Sequence, residues 1–334
     1  MKEIDLLNKK ILYIGPASYY DKSLMNKMTE LGASITFHDL LNFYSDNLFF
    51  RAAMKFSFKT KEDIYQGYKN KFYNRVLSAK HHDYVLVRHG YQFDTSFLKQ
   101  LRESNPNAKF INFHWDSLRS DYQYLHTLEY YDKIFSFDVK DCRDYPKIQY
   151  LPLFFLDIYD DFRKSNFDNF KQKEIDLLFV GAWRNKERYD LITQTEDICK
   201  KNKLRFRHYL YLSFKRHLYT IKKGIIPKKA KMRELSHKQI LDLFATTNTI
   251  IDFPSSFQTG LTIRTFETLG AGKKLITTNK NIAMEPFYHP EFISIVDMDN
   301  ITVDVEFIKN TPRASIEDKL KDYSIGSYLN KLFQ

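Results

Sequence analysis

The chain has 334 residues, 43% of them hydrophobic, and 52 Lys and Arg against 41 Asp and Glu give a net charge of +11. That length suits about two domains with sizeable cores, and only 10 glycines and 9 prolines exclude a fibrous or low-complexity chain. No apolar run reaches the ~20 residues of a membrane span, and two distant cysteines, Cys142 and Cys199, make neither a disulfide framework nor a zinc site.

The opening MKEIDLLNKKILYIG starts charged and becomes a strand, without a secretory apolar core, so a cytoplasmic protein is expected. Ile11–Ile14 is a short apolar strand ending at Gly15-Pro16, followed by a helix from Lys22 to Leu31 and a strand at Ala33–Phe37. Leu41 to Lys80 is amphipathic, aromatic and expected to be helical. Tyr84–Val87 is a strand ending in Arg88-His89-Gly90. A helix at Phe93–Ser104 is broken by Asn105-Pro106, and the strand Lys109–Phe113 ends in His114-Trp115-Asp116. A helix near Ser120–Tyr131 and a strand at Lys133–Phe137 follow. Strand and helix alternating in this way imply a parallel sheet with right-handed crossovers.

Asp157–Lys173 is polar and lacks a period, so the domain linker is expected there: an N-terminal domain at 1–156, a C-terminal domain at 174–315, and a C-terminal helix at 316–334 packing back on the first. The alternation restarts with the strand Ile175–Val180 ending in Gly181. It continues through a helix at Lys186–Asn202, a strand at Arg205–Leu212, and a helix at Ser236–Ala245 with Ser236 as N-cap. A strand at Thr249–Phe253, a helix at Gly260–Ala271 and strands at Lys274–Thr278 and Phe292–Val296 complete it.

Ligands of open α/β sheets bind beyond the carboxyl ends of the strands, so the chemistry is sought in those loops. In GAWRNKER, Gly181 admits close backbone approach, and Arg184, Lys186 and Arg188 open the next helix. Cations there oppose the helix dipole, and a bound diphosphate would give them a reason to be present. In the loop before the next helix, Thr259, Gly260, Leu261 and Thr262 offer backbone N–H groups to phosphate, and Gln258 can reach a sugar or base. Glu267 suits the two hydroxyls of a ribose; the plain alternative is a surface pair with Arg264 three residues before it. Asp116 is the candidate general base, its pKa expected to be raised by burial beside Trp115, with His89 and His114 behind it; the plain alternatives are a helix N-cap and hydrogen-bonded loop histidines. Asp138 and Asp141 read as a polar turn. No metal is expected.

The basic run Lys215 to Arg233 is either a solvated loop or a contact with an anionic, lipid-linked acceptor or the inner membrane face. No nucleic-acid-binding signature is present, and neither a G-x-x-x-x-G-K-[ST] loop nor a G-x-G-x-x-G fingerprint occurs.

FVGAWRNKER, then DFPSSFQTGLTIRTFETLGAGKKLITTN, then NIAMEPFYHPEFISIVD resemble the C-terminal domain of GT-B-type glycosyltransferases. INFHWDS resembles an N-terminal element of their bacterial lipopolysaccharide and capsule branch. The resemblance implies two Rossmann-like α/β domains with parallel sheets facing a cleft. It also implies a nucleotide-sugar donor on the C-terminal domain and a glycan or lipid-linked glycan acceptor on the N-terminal one, with no cofactor. It implies Arg184 on the donor phosphates, Gly260–Thr262 at the phosphate helix and Glu267 on the ribose. Thr259 stands eight positions before Glu267, where retaining members often carry a second glutamate, so both stereochemical courses stay open. A UDP-sugar epimerase of the same fold and a non-catalytic nucleotide- or sugar-binding protein are the alternatives.

Overall fold

The computed structural model describes residues 4–40, 61–118, 122–165, 173–225, 229–255 and 257–334. Two compact units emerge: Met1–Pro152 together with Tyr328–Gln334, and Leu153–Ser327.

The first unit follows the order β1 (Lys10–Gly15), α1 (Tyr19–Glu30), β2 (Ser34–Asp39), α2 (Lys61–Leu77), β3 (Tyr84–Arg88), α3 (Thr95–Ser104) and β4 (Lys109–His114). A 3-10 helix (Tyr122–Tyr130), β5 (Lys133–Ser136), α4 (Val139–Asp144) and β6 (Ile148–Tyr150) follow. Its six strands are all parallel, in the order β2-β1-β3-β4-β5-β6. A parallel sheet is covered on both faces, so its central strands are continuous apolar runs; β1, β3 and β4 are buried along almost their whole length. Phe72, Tyr73 and Val76 of α2 and Phe97, Leu98 and Leu101 of α3 join that core, and the Tyr73 and Phe97 rings stack 3.8 Å apart. Each such side chain contributes about 1.5–3 kcal/mol by leaving water. Ser18 and Asp21 form a capping box that starts α1 three residues before the expected Lys22. Of the expected helical stretch Leu41–Lys80, α2 covers 61–77, and residues 41–60 lie outside the described residues.

The second unit contains α5 (Asp157–Ser165), β7 (Leu177–Ala182), α6 (Lys186–Lys201), β8 (Phe206–Tyr211), α7 (Phe214–Lys222), α8 (His237–Ala245), β9 (Thr249–Asp252), α9 (Ile263–Gly270), β10 (Lys274–Thr277) and β11 (Ile293–Ile295). The short helices α10 (Val305–Lys309) and α11 (Glu317–Leu320) follow, and α12 (Ile325–Phe333) closes the chain. Its five parallel strands run β11-β10-β9-β7-β8. The expected polar linker is in its first half a helix, α5, of which Tyr159 is fully buried. Ser236 caps α8 through a capping box with Gln239. The expected helix from Gly260 begins at Ile263, with Thr262 as its N-cap. In the tail, Ser324 separates a short 3-10 turn from α12, whose Tyr328–Phe333 part belongs to the first unit.

Each sheet begins with the same winding. The first two strands go outward one way, and the third pairs on the other side of the first: β3 beside β1, and β9 beside β7. These reversal points, β1/β3 and β7/β9, are where an open α/β sheet leaves a crevice for ligand.

Candidate functional site

In the second unit the β7/β9 reversal brings together GAWRNKER and the loop after Asp252. Gly181 ends a buried run, and a Cβ there would lie 2.9 Å from the Phe179 ring, so glycine also serves the packing under the loop. Asn185 caps α6 by accepting from the Arg188 N–H at 3.0 Å. That cap turns Arg188 back over the strand end, where its Nη1 donates to the Ala182 carbonyl at 3.1 Å. Burial pulls the Arg188 pKa below that of an ordinary guanidinium, Asp252 pushes it up again, and neighbouring Arg184 lowers it. The Arg188 Nε is buried with no hydrogen-bond partner among the described residues. Arg184 is exposed beside it. Lys186 is engaged elsewhere, paired with Asp190 at 2.6 Å on the exposed face of α6.

Across the crevice, the Thr262 hydroxyl donates to the Asp252 carboxylate and accepts from the Thr265 N–H, tying the α9 N-cap to the end of β9. The approach to that cap is held from the segment that follows β10. Asn279 Nδ2 donates to the Thr259 and Gly260 carbonyls at 3.2 and 3.0 Å, and Asn281 Nδ2 to Thr259 at 2.9 Å. Gly260 and Leu261 are buried, and Gln258, Thr259 and Thr262 are half-buried. The site therefore sets Arg188 near the Asp252 carboxylate, with Arg184 beside it, next to a braced helix N-terminus, an arrangement that favours an anion.

Glu267 is fully buried. Arg264 Nη1 lies 2.6 Å from its Oε2, and the Tyr159 hydroxyl donates to Oε1 at 2.5 Å. His237 Nδ1 is 2.9 Å from the same hydroxyl, and burial holds the His237 pKa below its usual value. The pair with Arg264, the plain alternative to a ribose contact, is thus present but interior, and with Tyr159 and His237 it locks α9 to α5 and α8. The partner that spacing could not show is Tyr159, 108 residues away.

In the first unit, His89 and Gly90 both take left-handed backbone angles, φ 69° and 88°, to turn the chain after β3. Asn112 holds this turn by donating to the Val87 and His89 carbonyls, each at 2.9 Å, while its Oδ1 meets His114 Nε2 at 2.5 Å. Tyr91 joins the histidines, its hydroxyl 2.9 Å from His89 Nδ1 and 3.4 Å from His114 Nδ1. Burial, with help from Arg88, pushes the His89 pKa down to about 3, and burial holds His114 well below its usual value. Both rings are neutral at pH 7. His89 Nε2 lies 3.7 Å from the Asp116 carboxylate.

Asp116 departs from expectation. Its side chain is 68% exposed, because neighbouring Trp115 packs the other way: its ring lies 4.3 Å from the Arg88 guanidinium, and its Nε1 donates to the Tyr328 hydroxyl at 3.0 Å. Arg88 in turn is paired with buried Asp21 at 2.9 Å, and Tyr13 donates to the same carboxylate at 2.6 Å. This Tyr13–Asp21–Arg88–Trp115 cluster at the β1/β3 reversal has no signature in sequence spacing. Asp138 and Asp141 serve the chain itself. Asp138 caps α4, and Asp141 accepts from the Leu118 N–H and the Ser136 hydroxyl. Among the described residues no three His, Cys, Asp or Glu side chains form a group that could hold a metal, and no helix is long and apolar enough to cross a membrane.

No protein-family model and no curated protein sequence matches the chain. Solved structures do. Anabaena HepE in complex with UDP and glucose matches over 98% of both chains, with a TM-score of 0.55 at 8% identity. An alpha-glucosyltransferase in complex with UDP and a 13-mer DNA containing an A:G mismatch matches over 97% of this chain and 94% of its own, with a TM-score of 0.52 at 10% identity. The fold is GT-B. At such identities the likeness concerns the path of the backbone, and the two Rossmann-like units of this GT-B chain are the six- and five-stranded sheets described above. GT-B architecture hosts more than one reaction, so chemistry is argued from the residues.

Proposed function

We propose that the chain is a glycosyltransferase. It would move a sugar from a nucleotide-activated donor to a hydroxyl of a bacterial surface polysaccharide or lipopolysaccharide acceptor, in the cytoplasm. The observation that carries the reading is Arg188: a half-buried arginine whose buried Nε has no partner among the described residues, beside Arg184 at the sheet reversal and near the α9 N-cap. A diphosphate would give that group the acceptor it lacks. UDP is present in both of the solved structures named above, which supports a nucleoside diphosphate as the ligand.

In the proposed reaction the second unit holds the donor through Gly181, Arg184, Arg188, Gln258 and the Thr259–Thr262 loop. Arg264 acts with Glu267 at α9. Asp116 takes the proton of the acceptor hydroxyl as its oxygen bonds to the anomeric carbon and the bond to the nucleotide phosphate breaks. Its exposure leaves it accessible to an acceptor. His89 and His114, being neutral, act through hydrogen bonds rather than as cations. The charge that develops on the departing diphosphate is met by the two arginines and the α9 N-terminus, so the proposal needs no metal.

The test is thermal stabilisation by UDP, GDP, dTDP, CMP and ADP in wild type, Arg184→Ala and Arg188→Met. One diphosphate should stabilise wild type, and each variant should bind it about 10–100-fold more weakly, the loss of one charged hydrogen-bonding group. No stabilisation by any nucleotide at millimolar concentration would sink the reading. Turnover of the sugar nucleotide with no acceptor present would favour an epimerase instead.

A further inference from the structure

α7 is built inside out. Phe214, Leu218 and Ile221 recur at helical spacing, which puts them on one face, yet they are 63%, 47% and 45% exposed. Thr220, on the opposite side, is the buried residue. A surface helix ordinarily turns its apolar stripe to the core; here the stripe faces away from it. Tyr219 on the helix and Met232 after it are large apolar side chains that are exposed as well.

The charge along this stretch of sequence has one sign. From Phe214 to Arg233 the sequence has eight Lys and Arg and no Asp or Glu. Residues 226–228 of this run lie outside the described residues; Arg216, Lys222, Lys223, Lys229, Lys231 and Arg233 are described and exposed. Lys223 Nζ lies 4.9 Å from the Tyr219 ring, and Lys229 is paired with Glu196.

We propose that α7 is an interfacial helix that docks the protein on an anionic lipid bilayer, with Phe214, Leu218 and Ile221 entering the headgroup boundary. Helices with an apolar stripe and a basic surround bind this way, drawing on both apolar burial and attraction to anionic headgroups. The combination selects the partner. A second copy of the chain would bring two strongly basic surfaces together. A nucleic acid would use the cations but leave the apolar stripe in water. An anionic bilayer uses both.

The position of α7 links this surface to the candidate site. Arg216 Nη1 donates to the Trp183 carbonyl at 3.2 Å, so the helix is tied to the loop that carries Arg184. The strand end at Tyr211 also pairs with Lys231. A bilayer at α7 therefore lies at the same carboxyl edge of the sheet as the proposed phosphate loop, where a lipid-linked acceptor would be presented. The docking surface itself does not depend on the transferase reading.

The experiment is flotation of the full chain with vesicles of pure phosphatidylcholine and with vesicles containing phosphatidylglycerol, at low and high salt. Wild type should bind the anionic vesicles, bind the neutral ones weakly, and dissociate as salt rises. Phe214→Ser/Leu218→Ser/Ile221→Ser should lower partitioning at least about tenfold. Lys222→Gln/Lys223→Gln should lower it about fivefold per lysine. All five positions are exposed, so circular dichroism should be unchanged; a Phe214→Trp variant should show blue-shifted emission on the anionic vesicles. Arg184→Ala should keep vesicle binding while losing nucleotide, which separates this proposal from the donor site. No binding of wild type to anionic vesicles, or unchanged binding by the triple serine variant, would overturn it. So would a wild-type dimer, or a complex with duplex DNA, that the triple variant loses.

Discussion

At the residue scale, two charges withdrawn from solvent to different degrees, half-buried Arg188 and fully buried Glu267, illustrate two different solutions. Arg188 Nε has no hydrogen-bond partner among the described residues, whereas Glu267 is ion-paired with Arg264 and accepts from the Tyr159 hydroxyl. Removing the negative charge should therefore be costly to the fold. Glu267→Gln leaves Arg264 uncompensated in the interior, and urea unfolding should show a loss of about 3–5 kcal/mol. Tyr159→Phe removes one hydrogen bond to a carboxylate and should cost about 1.5–3 kcal/mol. His89 gives a pH prediction. Its pKa is about 3 in the fold and about 6.5 in an unfolded chain. Between those values the unfolded state binds a proton that the native state does not, so stability falls as pH drops from ~6.5 towards ~3. His114 adds in the same direction. His89→Asn, which tolerates the left-handed backbone, should flatten this slope by up to ~1.4 kcal/mol per pH unit. An unchanged slope in acid denaturation would show that another group carries it.

At the element scale, α9 is closely specified by its neighbours, with Thr265 to Gly270 all buried. A Cβ at Gly270 would come within 2.6 Å of the Phe155 ring. Gly270→Ala should thus cost about 1–3 kcal/mol through overpacking, although alanine is the better helix former. Phe155→Leu in the same chain should recover part of it, and thermal melts of the single and double variants read the difference. The apolar strands YVLV and IDLLFV and the Gly181 and Asp252 strand ends were legible in the sequence because a buried parallel strand is a local, continuous signal. α5 was not, since its exposed turns are polar and its one fully buried residue, Tyr159, matters for a partner 108 residues on. The burial expected of Asp116 failed for a related reason: adjacency to Trp115 says nothing of which way the indole packs, and it packs on Arg88. Lys186 and Arg188 looked alike in sequence, and only the Asn185 cap and the Lys186–Asp190 pair separate them.

At the scale of the molecule, the first unit is discontinuous. Tyr328, Leu329, Leu332 and Phe333 are buried in it, Phe333 against Tyr84 at 4.8 Å and Tyr328 against Trp115. Ending the chain at Ser327 should remove roughly 6 kcal/mol or more, comparable with the whole stability of a domain. Each unit carries one of the two tryptophans, Trp115 and Trp183. Tryptophan fluorescence of Trp115→Phe and Trp183→Phe variants can therefore follow the units separately. The truncation should shift the Trp115 signal to lower denaturant and leave the Trp183 signal in place; a joint shift would mean that the two unfold as one.

That last strap has a bearing on how the protein is made. A ribosome releases the first 152 residues long before it reaches Tyr328, so the nascent first unit waits without its final segment while the whole of Leu153–Ser327, contiguous in sequence, emerges and can fold. The unit begun first is thus the one finished last, and until then the surfaces that receive Leu329, Leu332 and Phe333 are open to a chaperone.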